Sequence, residues 1–96
     1  MNRFSIDVVP EDVSKKLAEN TKKLRKQKKI TQKDLAKRSG VSLGSIKRFE
    51  SSGLISLSSL LKITLILGRL DDFKNLLIPE KEVDKIEKLF SKKAQQ

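Results

Sequence analysis

The 96-residue sequence predicts an all-α protein with one small domain. Apolar residues recur at helical spacing along most of the chain. Four segments begin with a helix-start signal: Pro10 followed by two acids, and Thr31, Ser42 and Ser56 at capping positions. Only one short segment alternates apolar and polar residues as a strand does. A chain of this length can bury a single small core, mainly of Leu, Ile and Val.

The N-terminal segment is the strand-like one. Phe4, Ile6 and Val8 alternate with polar residues, which predicts a short strand in an arm of residues 1–9. A single strand has no partner within this chain, so any pairing has to come from a second copy.

Helix one is expected from Pro10 to Lys28. Proline suits the first turn because it lacks an N–H that would have no partner there, and the two acids after it favour the positive end of the helix dipole. The apolar positions fall near one face. They are Val13, Leu17, Ala18 and Leu24.

Helix two begins after Thr31. This residue can cap the helix, with Asp34 three residues later in an arrangement that resembles a capping box. Leu35 and Ala36 point inward, and Gly40 supplies the left-handed residue that ends the helix.

Helix three begins after Ser42, its expected cap. Val41 precedes the cap and can form a hydrophobic staple with Ile46. Phe49 lies one turn beyond Ile46, so both side chains are expected to face the core.

Helix four repeats this pattern, with Ser56 as its cap and Ile55 and Leu60 as the staple pair. It is expected to continue to Leu67, before Gly68. Because it is apolar on almost every side, it is the expected central buried helix.

A short fifth helix is expected around Asp71 to Leu77, and Pro79 separates it from a charged tail of residues 79–96. The fifth helix presents Leu70, Phe73, Leu76 and Leu77. The tail carries an amphipathic stripe of Val83, Ile86, Leu89 and Phe90.

The composition argues against catalysis. The chain has no Cys and no His, which removes thiolate chemistry, the commonest general base and the usual zinc ligands. The serines at 42, 45, 51 and 52 lack a base, and Asp71-Asp72 is better interpreted as helix-start charge. We therefore expect no catalytic residue, no metal and no cofactor.

A membrane location is also disfavoured. The longest apolar stretch is broken by Lys62 and falls far short of the ~20 residues that span a bilayer. The N-terminus turns acidic where a signal peptide would have an apolar segment. A cytoplasmic protein is expected.

The positive charge is concentrated in one segment. Lys and Arg number 22 against 12 Asp and Glu, a net charge of +10. Residues 13–53 hold 13 of the basic residues and three of the acidic ones, so the whole excess lies there. This distribution is typical of a polyanion binder, although a lysine-rich surface alone would give a similar total.

The stretch QKDLAKRSGVSLGSIKRFE, residues 32–50, resembles the helix-turn-helix of the phage Cro and repressor class, the XRE-like family. Gln32 opens the first motif helix, Ala36 is small where the two helices cross, Gly40 makes the turn, and Ile46 holds the second helix to the core. The resemblance covers residues 13–77. It implies a lambda-repressor-like bundle of five short helices, with residues 10–78 as the DNA-binding domain.

The resemblance also implies which residues meet DNA. In this class the second motif helix lies in the major groove and the first crosses the backbone. Base readout then falls to Leu43, Gly44, Lys47 and Arg48. Backbone contacts fall to Gln32, Lys33, Lys37, Ser42 and Ser45. The phage repressors often have polar residues where this chain has Leu43 and Gly44, so a thymine methyl contact and close helix approach would replace hydrogen bonding there.

Two functions remain open. The first is a dimeric repressor that binds double-stranded DNA at a palindromic operator near its own promoter. The second follows from a closer resemblance. The spacing Glu50-Ser51-Ser52-Gly53 is one residue longer than the Glu-x-Gly that is common in the family. Together with GSIKRFE, ISLSSLLKI and LGRLDDF, it resembles the HipB-like antitoxins. That resemblance implies a HipA-like kinase toxin as a partner, with DNA binding for autoregulation.

Overall fold

The computed structural model describes residues 8–81. Within that range the chain forms four α-helices and one 3₁₀ helix. They are α1 (Pro10–Gln27), α2 (Gln32–Ser39), α3 (Leu43–Ser52), α4 (Leu57–Ile66) and the 3₁₀ helix Leu70–Phe73. α1 packs on α3, α2 packs on both α3 and α4, and α4 packs on the 3₁₀ helix. The all-α prediction is confirmed for these residues.

The helix boundaries follow the predicted caps. The side-chain oxygens of Thr31, Ser42 and Ser56 accept hydrogen bonds from backbone N–H groups three residues later, at 3.0, 3.1 and 3.1 Å. These bonds satisfy donors that a first helical turn leaves without partners. At the other ends, Gly40 and Gly53 close α2 and α3 with φ of 79° and 80°. Local sequence therefore sets where α2, α3 and α4 begin.

The core consists of two adjoining clusters, and α3 contributes to both. The first cluster contains Ile30, Leu35, Val41, Ile46, Ile63 and Leu67. The second contains Ala18, Phe49 and Leu60. Ile46 and Phe49 are each 1% exposed, which confirms the predicted inner face of α3. Because one helix supplies both clusters, its rotation about its own axis is fixed.

The buried face of α1 agrees with the predicted one in part. Ala18 is buried and Leu24 packs half-buried against the core, as predicted, but Val13 and Leu17 are 46% and 38% exposed. Thr21 and Arg25 are buried in their place. The close packing of α1 on α3 favours small side chains such as Ala18 and Thr21, and Arg25 is buried because it pairs with Glu50 of α3. The larger apolar residues of α1 lie at the edge of that contact.

The sequence predicts α4 as the central buried helix, and the structure buries it on one side only. Its buried residues are Leu60, Ile63 and Thr64, while Leu57 and Leu65 are 65% and 59% exposed. Its described packing partners, α2 and the 3₁₀ helix, leave this face open. Among residues 8–81, no single helix is long and apolar enough to cross a membrane.

The fifth α-helix, expected around Asp71 to Leu77, is not confirmed. Leu70–Phe73 is a 3₁₀ helix, and the N–H of Lys74 bonds to the carbonyl of Asp71, three residues back rather than four. Leu77 has a positive φ of 59°, which ends any helical path. The bundle within the described residues therefore has four α-helices.

The predictions for the two chain ends lie mostly outside the described residues. Of the expected strand Phe4 to Val8, the structure describes Val8 alone, which is in neither a helix nor a strand. The tail stripe of Val83, Ile86, Leu89 and Phe90 also lies outside residues 8–81.

Gly53 should be far less replaceable than Gly40. Both have positive φ, where an L-residue costs ~1–2 kcal/mol. A Cβ at Gly53 would lie 3.0 Å from the backbone carbon of Ser14 in α1, whereas a Cβ at Gly40 meets nothing within 4 Å. We expect Gly53→Ala to lower the free energy of unfolding by ~3–4 kcal/mol and Gly40→Ala by ~1–2 kcal/mol, measured by urea unfolding. Equal losses in the two variants would contradict the close packing of α1 on α3.

Candidate nucleic-acid interface

The outer face of α3 carries all four residues expected to read bases. Gly44, Lys47 and Arg48 are exposed, and Leu43 is half-buried. Since i and i+4 positions are neighbours on a helix, Leu43 lies beside Lys47, and Gly44 beside Arg48. The structure thus brings these four residues to one surface, opposite the core face of Ile46 and Phe49. We refer to it as the α3 outer face.

The α3 outer face extends one residue further than the motif suggested. Ser51 follows Lys47 by four residues and is exposed, and its hydroxyl donates to the carbonyl oxygen of Arg48 at 3.1 Å. Helical spacing alone could have identified it. The hydroxyl of Ser52 also donates to this carbonyl, at 2.6 Å. These two bonds are local to the end of α3, where serine hydroxyls bond to carbonyls three and four residues back.

The residues expected at the DNA backbone occupy two places. Lys33 and Lys37 are exposed and lie one turn apart on α2. Ser42 and Ser45 lie at the start of α3, where the Ser42 hydroxyl donates to Oγ of Ser45 at 2.8 Å. The Ser42 proton is therefore used within the protein, while the Ser45 hydroxyl proton remains available to an acceptor outside it.

Gln32 is turned toward α3. Its Nε2 donates to Oε1 of Glu50 at 2.9 Å, and the side chain is half-buried. This contact with the second motif helix uses one of the two amide protons. The second proton and the carbonyl oxygen remain available at the N-terminal end of α2.

A buried ion pair holds α3 against α1. Nε of Arg25 donates to Oε2 of Glu50 at 2.7 Å, and Nη2 donates to Oε1 at 3.0 Å, so the pairing is bidentate. The two side chains are 9% and 4% exposed. Nη1 of Arg25 also donates to the carbonyl oxygen of Ile30, at 2.8 Å, in the connection between α1 and α2. We call Arg25, Glu50 and Gln32 the ion-pair cluster.

The carboxyl group of Glu50 is charged over most of the pH range. Burial by itself would raise its pKa, but hydrogen bonds from Arg25 and Gln32, together with the charges of Arg25 and Lys22, outweigh burial and hold the pKa below its ordinary value of 4.5. The influence of Lys22 indicates that this exposed lysine of α1 lies near the ion-pair cluster. No pattern in the sequence singles out Lys22, because it is one of many lysines in α1.

The ion-pair cluster takes two charges of opposite sign off the protein surface. The sequence count of 13 basic and three acidic residues in 13–53 included Arg25 and Glu50 as surface charges. The structure removes one residue of each sign from the surface, so the excess of ten is unchanged. The remaining basic residues of α2 and α3 are Lys33, Lys37, Arg38, Lys47 and Arg48, all of them exposed.

A shallow cleft adjoins the α3 outer face, next to the connection between α3 and α4. Ser45 and Arg48 line one side, and Ser56 and Ser59 line the other, with Leu54 and Ile55 between them. Hydroxyl groups beside an arginine suit phosphate oxygens. The sequence motif did not identify Ser56 or Ser59 as part of this surface, since the chain turn that brings them there lies outside it.

Comparison with known proteins yields a family match and no individual relative. A protein-family model described as helix-turn-helix matches residues 22–73, more than half of the chain. The match begins within α1 and ends at the last residue of the 3₁₀ helix. Searches of the curated proteins and of the solved structures each found no significant match.

Replacing Glu50 should cost stability in a pH-dependent way. Because its folded pKa is depressed, the carboxylate contributes stability above pH ~4.5 that is lost as the pH falls through the folded pKa. Glu50→Gln leaves Arg25 buried without its counter-charge, so we expect the free energy of unfolding to fall by ~3–5 kcal/mol at pH 7, and by less at pH 3. Urea unfolding at both pH values measures the difference.

The matched control for that prediction is Glu19→Gln. Glu19 also pairs with a cation, Lys16, but the two side chains are 53% and 65% exposed. Solvent screens such a pair, so the free energy of unfolding of this variant at pH 7 should be close to that of the wild type. If Glu50→Gln lowered the free energy of unfolding equally at pH 7 and pH 3, the shape of the Glu50 side chain, rather than its charge, would be what stabilises the fold.

Proposed function

The chain belongs to the XRE-like helix-turn-helix family of DNA-binding regulators, and we propose that it is a sequence-specific transcriptional repressor. In this proposal it binds a palindromic operator as a dimer and regulates its own promoter. Residues 10–78 form the DNA-binding domain, residues 1–9 an arm and residues 79–96 an amphipathic tail.

One observation carries the proposal: the α3 outer face is exposed and basic, while the opposite face of the same helix is anchored in the core. Lys47 and Arg48 are the long donors on this surface, and no acidic residue of α3 shares it. The acidic residue of α3, Glu50, is turned inward and neutralised by Arg25. Such a helix suits the major groove, where its N-terminal residues meet base edges.

Base readout in this proposal combines one polar and one apolar contact. Arg48 or Lys47 donates to O6 and N7 of guanine, and Leu43 packs against a thymine methyl group. Gly44 lets the helix approach closely. A Cβ at Gly44 meets no protein atom within 4 Å, so packing within the protein does not require a glycine there.

The contacts to the DNA backbone in this proposal come from α2 and from the start of α3. Lys33 and Lys37 meet phosphates across the groove from α3. Ser45 donates its free hydroxyl proton to a phosphate, with Ser42 as its neighbour in the cap. Gln32 has a divided role, because its amide is bonded to Glu50 and also has a donor left for a phosphate.

A dimer follows from the size of the readout surface. One recognition helix covers a single half-site, and regulators of this kind join two half-sites about one helical turn apart, ~34 Å. Two features of the sequence support a second copy: the strand-like segment Phe4 to Val8, which has no partner in the chain, and the apolar residues after Gly68.

An antitoxin role is the second candidate. The observation that favours it is the extension of α3 to Ser52, one residue before the glycine cap, within the stretch that resembles HipB-like antitoxins. In that role the chain binds a HipA-like kinase toxin and co-represses the operon with it. A kinase-like reading frame beside this gene, and a kinase recovered from native cells in a pull-down washed at high salt, would favour this candidate.

Gly44→Ala should separate stability from DNA binding. Alanine is the better helix former by ~0.5–1 kcal/mol and meets no protein atom, so we expect the variant to unfold at higher urea concentration. The added methyl group should hold the helix away from the groove and weaken operator binding roughly tenfold, or ~1.4 kcal/mol. Binding is measured on an operator selected from a random DNA library.

The matched control is Asn20→Ala, on the exposed surface of α1. It also improves helix propensity, and it lies outside the motif, so it should stabilise the protein without changing DNA affinity. If Gly44→Ala bound the operator as tightly as the wild type, close approach of α3 to DNA would be excluded.

Arg48→Ala and Lys37→Ala should weaken DNA binding in different ways. Arg48→Ala is expected to cost ~1–3 kcal/mol on the operator and to relax the preference at one base pair. Lys37→Ala should weaken all sequences alike and reduce the slope of log affinity against log salt by about one. Gln32→Ala should behave like Lys37→Ala or lie between the two. The readouts are affinities for operator and scrambled DNA at several salt concentrations.

The wild-type dimer provides the reference slope. If each protomer neutralises about three to five phosphates, the slope is roughly −5 to −9. A slope near zero would contradict an electrostatic interface. Unchanged affinity and base preference in a folded Arg48→Ala variant would place base readout on another surface and favour the antitoxin role.

A further inference from the structure

The exposed leucines of α4 form a single stripe. Leu57, Leu61 and Leu65 follow one another at intervals of four residues, so they lie along one side of the helix. Leu57 and Leu65 are 65% and 59% exposed, and Leu61, between them, is half-buried. The described residues leave Leu57 and Leu65 open and cover Leu61 in part. We call these three residues the α4 leucine stripe. Exposed leucines grouped in this way are typical of an interaction surface.

The surroundings of the stripe limit what can cover it. Lys62 is the one charged residue between Ser51 and Gly68, in a chain that carries a net charge of +10. Two copies of so basic a chain repel each other, and a contact between copies therefore forms most readily through an uncharged surface. The exposed apolar residues of α1 are a poorer choice, since Asp12 and Lys16 lie among Val8, Val13 and Leu17.

The spacing of the stripe is self-complementary. A two-fold axis brings the same surface of both copies together, so each residue must meet an acceptable partner on the other copy. The α4 leucine stripe is symmetric about Leu61. When two α4 helices run antiparallel, Leu61 meets the partner's Leu61 and each Leu57 meets the partner's Leu65. Lys62 falls outside the stripe, at the rim of that contact.

We propose that the α4 leucine stripe is the surface through which two copies of this chain associate, with their α4 helices antiparallel. This inference rests on the proposed function in one respect: operator binding is what requires a dimer. The stripe and the α3 outer face lie on different helices, whose axes turn by 99° at their connection, and Lys47 and Arg48 belong to α3 alone. We therefore expect each copy to keep its DNA-binding surface when it pairs.

A charge-swap experiment tests the pairing directly. The acidic variant carries Leu57→Glu and Leu65→Glu, and the basic variant carries Leu57→Lys and Leu65→Lys. Each variant alone places like charges opposite each other and should weaken self-association on the order of 100-fold or more, as followed by sedimentation over a range of concentrations. An equimolar mixture should form a heterodimer, because each new glutamate of the acidic variant then lies opposite a new lysine of the basic variant. Recovery in the mixture also establishes that both variants are folded.

The matched control is Val13→Glu. Val13 is 46% exposed and lies on α1, outside the α4 leucine stripe, so its replacement should leave the dimer unchanged. All samples are measured with and without the selected operator. A wild type that stays monomeric in both conditions overturns the proposal. It is also overturned if the charged α4 variants still dimerise, or if Val13→Glu alone prevents dimerisation.

DNA binding is measured separately, on a duplex with a single half-site. The monomeric basic variant should still bind it in a salt-dependent way, because its α3 outer face is intact. Loss of dimerisation with retained half-site binding supports the α4 interface. Failure of every form, including the wild type, to bind DNA would overturn the proposed function, whatever the state of association.

Discussion

The bidentate ion pair between Arg25 and Glu50 is the interaction on which the arrangement of the helices depends. Its two charges lie on α1 and α3, and both are almost fully buried. A buried charge is costly unless its hydrogen bonds are satisfied, and here Gln32 and the carbonyl of Ile30 complete the set. A different orientation of α3 would leave at least one of these groups without a partner. The ion-pair cluster therefore favours one orientation of α3, in addition to what apolar packing provides.

That orientation has consequences on both sides of α3. Inward, Ile46 and Phe49 fill the two core clusters, and at the end of the helix Gly53 allows the backbone of α1 to pass close by. Outward, the α3 outer face carries only basic, small or apolar residues. The negative charge of Glu50, which would oppose a polyanion, is neutralised within the protein. Stability and the character of the candidate DNA surface thus have the same cause.

The structure separates two surfaces of different chemistry. The α3 outer face is basic and suits phosphates and base edges, whereas the α4 leucine stripe is nearly uncharged. The two surfaces lie on different helices, whose axes turn by 99° at the connection of α3 to α4.

The sequence by itself determined the starts of α2, α3 and α4, the glycine-closed end of α2, and the inner face of α3. Each of these depends on contacts within a few residues: Thr31, Ser42 and Ser56 bond to N–H groups three positions later, and Gly40 closes its own helix. The candidate DNA residues could also be named, because the motif is contiguous. Their grouping on one exposed face needed only helical spacing.

Tertiary structure alone decided which faces of α1 and α4 are buried, and which charges are surface charges. The sequence predicted Val13, Leu17 and Ala18 on the inner face of α1, but only Ala18 of these is buried, and Thr21 and Arg25 are buried in place of the other two. Arg25 and Glu50 are 25 positions apart, so no local pattern distinguishes them from neighbouring charges. Likewise, α4 is apolar almost all round, and only the positions of α2 and the 3₁₀ helix determine that its leucine stripe stays exposed. Burial depends on which helices become neighbours, and that is a property of the assembled fold.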